Sequence, residues 1–170
     1  MKTERSEPAP DAGERAMLEG WLDYHRDTLA WKCAGLDHAQ LRTASVPPSE
    51  FSLLGLVRHM AEVERGWFRQ VLVNDDPGSI YCTAEDPDGE FHVTDKDTWD
   101  EAYETWQQEI AVARRNAARF GLDDLSEGAS RSSGTSFNLR WIYTHMIEEY
   151  ARHNGHADLV RERIDGATGD

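Results

Sequence analysis

The chain is poor in cysteine, in positive charge and in long apolar runs. Its only cysteines are Cys33 and Cys82, with no Cys-x-x-Cys pair. That excludes a disulfide framework, gives no metal-ligand spacing, and fits a reducing compartment. The 18 Lys+Arg face 32 Asp+Glu, a formal net charge of -14. A basic footprint for nucleic acid or an anionic membrane surface is therefore missing. No run of about 18 apolar residues is present, so no membrane span is expected. The opening MKTERSEPAPDAGERA lacks an apolar signal core. Convincing strand alternation and internal repeats are absent too. These absences lead to the expectation of a soluble, cytoplasmic protein with no nucleic-acid and no membrane partner.

What is present is helical periodicity. The 170 residues suit one domain of ordinary size, expected over 13–170. Before it, Pro, Ser and charge predict a flexible tail at 1–12. ERAMLEGWLDYHRDTLAWKCAGL places Leu18, Trp21, Leu22, His25, Leu29, Lys32 and Leu36 at helical steps, with Gly35 as a stop. SVPPSE then breaks the chain. SLLGLVRHMAEVERGWFRQVLV follows, capped by Ser52 or Ser49, with Leu56, His59, Val63, Gly66, Trp67 and Gln70 on one stripe. Residues 74–95 have no helical period. That is long for a loop and points to a lid or another specific role, although EDPDGE lacks calcium-loop spacing. In the third helix, Thr98 and Glu101 match a capping box and Gly121 is the expected stop. The fourth, FNLRWIYTHMIEEYARHNGHADLVRERI, is capped by Ser136 or Thr135 and turns Ile142, Met146, Glu149, His153, Ala157 and Val160 inward. The fold class predicted is all-α, a four-helix bundle with a long crossover connection between helices 2 and 3. The 1–2 and 3–4 connectors are short enough to make those helices antiparallel neighbours.

Glu149 and His153 raise a question, because a helix rarely turns an acid and a histidine toward its core. Residues four apart lie about 40° apart around a helix and roughly 6 Å apart in space. One face can thus present both to a single ion. His59, mid-helix on the apolar stripe of the second helix, is the best third donor. Taken singly, each has a plainer reading, as a core histidine or a helix-surface ion pair. Together they place an acid on an inward stripe, where an unpaired charge is costly. Two imidazoles and a carboxylate suit zinc, with nickel, iron and cobalt chemically possible. Three protein donors leave a position open for a thiol or a water.

FSLLGLVRHMAEVERGWF and LRWIYTHMIEEYARHNGHADLVRERIDG, with ERAMLEGWLDYHRDTLAWKCAGL, resemble the DinB-like superfamily of metal-binding four-helix bundles. More narrowly, they resemble its actinobacterial mini-circle protein branch. The resemblance runs from about residue 13 to 166. It implies a metal held by one histidine of the second helix and two residues four apart on the fourth, hence His59, Glu149 and His153. Most members have histidine at all three positions. Glu149 departs from that pattern in the way the related mycothiol-dependent maleylpyruvate isomerases do. The resemblance further implies thiol S-transferase chemistry with a mycothiol-like cosubstrate, a small electrophile as partner, a pocket roofed by residues 74–95, and a homodimer.

Other polar residues near the stripes have two readings each. His156 is a partner or proton shuttle beside His153, or a surface residue. Glu62, three after His59, is a further ligand or base. His25 faces the cavity or is a core histidine with a local partner, and His145 is a substitute ligand. Cys33 and Cys82 read as buried or loop thiols. The function expected is a metal-dependent enzyme that activates a low-molecular-weight thiol. Its rivals are a hydrolase using bound hydroxide, a non-catalytic metal- or thiol-binding protein, and a bundle whose polar face only mediates dimerisation.

Overall fold

In the computed structural model, residues 5–129 and 134–169 are described. The helices are α1 (Glu14–Cys33), α2 (His38–Arg42), α3 (Leu53–Arg65), α4 (Trp99–Ala117) and α5 (Leu139–Asp165). α3 runs on as a π-helical segment, Gly66–Val71. Among the described residues there is no strand, only an isolated bridge between Leu125 and Asn138. The expected all-α bundle of four long helical segments, with its long connection between the second and third, is what forms. α2 is an addition inside the first connector, held by a capping box between Asp37 and Gln40. Five residues are too few to show a helical period.

The helix ends follow local chemistry. α1 stops just before Gly35, whose φ of 79° favours glycine. Ser52, the expected cap, accepts a 3.1 Å hydrogen bond from the Gly55 N–H. The Thr98 hydroxyl donates to the Glu101 carboxylate at 2.7 Å and accepts from the Glu101 N–H. α4 ends at Ala117, a turn before the expected stop at Gly121. The cap of α5 is Asn138, whose carbonyl oxygen accepts from the Trp141 N–H at 2.8 Å, and not Ser136 or Thr135. Ser136 is diverted, donating to the Gly128 carbonyl.

α1 packs chiefly on α5, and α3 on α4. The larger contacts therefore join the first long helix to the last and the second to the third, where the short connectors had predicted 1–2 and 3–4 neighbours. Leu22, Leu29, Leu56, Met60, Ile142 and Met146 are buried between them. On α1, Leu18, Trp21 and His25 are only half-buried, and Arg26 is buried in their place. Arg26 is there because of Glu64, which is 0 % exposed. Two parallel bonds of 2.8 Å join the Arg26 guanidinium to the Glu64 carboxylate. The Tyr150 hydroxyl donates to Glu64 at 2.7 Å and accepts from the Trp106 indole N–H at 2.8 Å. One polar chain thus touches α1, α3, α4 and α5, and it satisfies charges that would otherwise be very costly to bury.

The connection between α3 and α4 is fastened along one side of α3. Arg58 donates to the Gly89 carbonyl at 3.0 Å, pairs with Asp97 at 3.2 Å and lies 4.3 Å over the Tyr81 ring. Glu62 accepts from the backbone N–H groups of Ile80, Tyr81 and Cys82 at 2.7, 2.6 and 3.3 Å. Arg65 reaches the Gly78 carbonyl. Of the tail expected at 1–12, residues 1–4 lie outside the described residues. Arg5 stands 4.3 Å over the Trp31 ring, and a Cβ at Gly20 would come within 2.7 Å of Pro8, so only glycine admits that approach.

Candidate metal centre

His59 projects from the middle of α3, and Glu149 and His153 from successive turns of α5. The bundle brings one ligand-type atom from each to within 4.8 Å of the others. The imidazole centroids of His59 and His153 are 4.5 Å apart, and Glu149 Oε2 lies 3.5 Å from His153 Nε2. His153 is buried, while the side chains of His59 and Glu149 keep 20 % exposure. The trio is therefore closed beneath His153 and open on one side. Phe91 stacks on His59 at 5.0 Å, and Phe51 lies 6.2 Å from His153, so two half-buried aromatic rings flank the trio.

Each histidine has its other nitrogen engaged. His59 Nδ1 is 3.1 Å from Glu90 Oε1, and His153 Nδ1 is 3.3 Å from His156 Nδ1. Since a carboxylate only accepts, His59 donates from Nδ1, and in the neutral ring that tautomer leaves the Nε2 lone pair free. Burial first, then the imidazoles of His59 and His156 and the charge of Arg152, push the His153 pKa down to about 4. His153 is thus neutral at neutral pH, the form a metal ligand needs. Burial pushes the Glu90 carboxyl up, but hydrogen bonds from Cys82 and His59 outweigh it and hold Glu90 below the usual range. Two imidazoles and one carboxylate are a donor set that fits a divalent cation.

Residues 17–166 match the family described as mycothiol-S-transferase. The chain belongs to the mycothiol-S-transferase family. That family is part of the DinB-like superfamily, as the helix-two and helix-four motifs implied. It is named for transfer chemistry with a small thiol. None of the curated proteins matches the chain. No helix among the described residues is long and apolar enough to cross a membrane.

Within this family member, the other residues singled out from sequence are placed as follows. His156 adjoins the trio through His153. His145 Nε2 lies 3.5 Å from Glu149 Oε1, and His145, Glu148 and Glu149 form a second donor group, although Glu148 also pairs with Arg152. Glu62 is not brought to the trio, because its carboxylate is taken up by the backbone of residues 80–82. His25 looks instead onto a cleft between α1 and α5 shared with Tyr24 and Asn154, whose amide donates to the His25 carbonyl at 3.0 Å. Cys33 is buried and Cys82 is a half-buried loop thiol, both free. Sequence reasoning missed Glu90 and Phe91. They lie in a connection without periodicity, and its unusual length was the one available signal.

Proposed function

We propose that this protein is a metal-dependent enzyme in which His59, Glu149 and His153 hold a divalent ion, with zinc preferred over nickel, iron or cobalt. A mycothiol-like thiol is activated there for transfer to, or isomerisation of, a small electrophile. The observation that carries this reading is the convergence of three donors while both imidazoles have Nδ1 engaged. The bound ion would supply the positive charge that lowers a thiol's pKa and favours the thiolate at neutral pH.

The chain's own residues prepare that chemistry. Burial keeps His153 neutral, and its Nδ1 contact with His156 turns Nε2 toward Glu149. A reactant enters where His59 and Glu149 are exposed, beside the paired rings of Phe51 and Phe91. The adjoining concavity bounded by Pro48, Phe51, Phe91 and His92 offers the electrophile a half-apolar seat. In transfer, the thiol sulfur would bond to the electrophilic atom as the bond from that atom to its leaving group breaks, and the group would depart with the bonding electron pair. The thiol proton leaves toward solvent, because His156 accepts from His153 on Nδ1 and already holds its own proton on the outer nitrogen. Glu62 is unsuited as base, because three N–H groups already donate to it. Two free cysteines fit a cytoplasmic setting, and the proposed assembly is a homodimer.

The test is reconstitution with zinc or cobalt, assayed against a panel of thiols and electrophiles. Turnover should need both metal and thiol and should vanish in His153→Ala. Unchanged turnover in that variant overturns the proposal. Turnover without any thiol replaces it with the hydroxide-using hydrolase, and thiol binding without turnover replaces it with a binding protein.

A further inference from the structure

We infer that Glu90 is a positioning residue of the metal centre: the connection between α3 and α4 delivers its carboxylate to His59 and fixes that ring's tautomer and direction. This rests on the reading above that His59 is a ligand. Glu90 is 7 % exposed, and both of its oxygens are committed. Oε1 faces His59 Nδ1 at 3.1 Å, and Oε2 accepts from the Cys82 thiol at 2.8 Å. Cys82 is itself tied back to α3, because its N–H donates to Glu62, three residues after His59. His59, Glu90, Cys82 and Glu62 therefore close a loop of contacts that begins and ends on one turn of α3.

That loop has a chemical consequence. A carboxylate with both oxygens engaged cannot rotate away, so it accepts only from an imidazole protonated on Nδ1. The other tautomer would set the Nδ1 lone pair against Oε1. The geometry thus selects the state in which Nε2 is free to bind. A carboxylate behind a ligating histidine also raises its basicity, and such partners typically matter 10- to 100-fold in metal affinity. The Phe91 ring, next in the chain, stacks on the same imidazole at 5.0 Å and restricts its swing. The connection therefore completes the centre from behind.

A purely structural role for Glu90, as an anchor for the connection, is separable. Cobalt affinity, measured by competition with a chromophoric chelator, and the cobalt absorption spectrum are compared for wild type, Glu90→Ala, Glu90→Gln and Glu62→Ala. Glu90→Ala should weaken cobalt binding by about 10- to 100-fold. Glu90→Gln can still accept from His59 through its amide oxygen and should lose less, while shifting the spectrum. Glu62→Ala releases the Cys82 end of that loop of contacts but leaves the Glu90 carboxylate able to reach His59, and should weaken cobalt binding by less than Glu90→Ala does. If Glu62→Ala weakens binding as much as Glu90→Ala, Glu90 is only an anchor and the inference falls. Unchanged affinity and spectrum in both Glu90 variants overturn it as well. If the alanine variant fails to fold, the spectrum of the glutamine variant decides. A wild-type chain that binds no cobalt overturns the ligand set and this inference together. A chain whose cobalt depends on His153 but not on Glu90 overturns this inference alone.

Discussion

His153 and His156 meet Nδ1 to Nδ1 at 3.3 Å, so one ring must hold the proton that the other accepts. If His153 presents Nε2 to an ion, it donates, and the proton of His156 moves to its outer nitrogen. Replacing His156 with leucine removes the acceptor and should weaken zinc binding by about 10- to 100-fold. Asparagine, whose side-chain oxygen can stand in for Nδ1, should recover part of the loss. Competition with a zinc chelator measures both.

The ligand set itself is tested by metal content. Purified wild type should carry about one divalent ion per chain, as a three-donor catalytic site does. His59→Ala and His153→Ala should carry almost none. Saturating zinc should raise the melting temperature of wild type, because an ion that binds only the folded state stabilises it. Neither variant should show that rise in a thermal scan.

The buried chain Arg26–Glu64–Tyr150–Trp106 should dominate stability. Glu64→Leu leaves the buried Arg26 guanidinium only its contact with Asp23 and should cost about 3–5 kcal/mol, the range for breaking a buried ion pair. Tyr150→Phe leaves the Trp106 N–H without its acceptor and should cost about 1–3 kcal/mol. Urea unfolding at neutral pH measures both, and a Glu64→Leu variant as stable as wild type would refute the role.

These residues also mark where the sequence was legible. The long helices could be read because their apolar residues recur every three or four positions. His59, Glu149 and His153 could be picked out because they interrupt those stripes with donors. Glu64 and Arg26 could not, since a charged residue beside a stripe looks like a solvated one and the partner lies 38 positions away. Glu90 had no period to stand against. The cap of α5 turned on whether Ser136 was already engaged by Gly128, a contact that no local pattern encodes.

Burial pushes the thiols of Cys33 and Cys82 up from 9.0 to about 12, helped at Cys82 by its bond to Glu90. A thiol raised in the folded state ionises first in the unfolded chain. Its stabilising contribution is complete below about pH 9 and is lost as pH rises toward 12. Alkaline denaturation should therefore begin above pH 9. At pH 8 the native protein should react slowly with a disulfide reagent and the urea-unfolded protein quickly, with both thiols. Absorbance of the released thiolate follows each case.

The polar chain through the core also bears on how the molecule assembles. Its bonds span 38, 44 and 86 positions of sequence, so closing them requires α1, α3, α4 and α5 to be already near one another. Loop-closure entropy must be met before such distant contacts contribute, which places them late on the folding route. Mutations along the chain should then speed unfolding more than they slow folding. A nascent chain still lacking α5 would hold Glu64 without Tyr150, so α5, synthesised after α1, α3 and α4, is also the helix that completes this core.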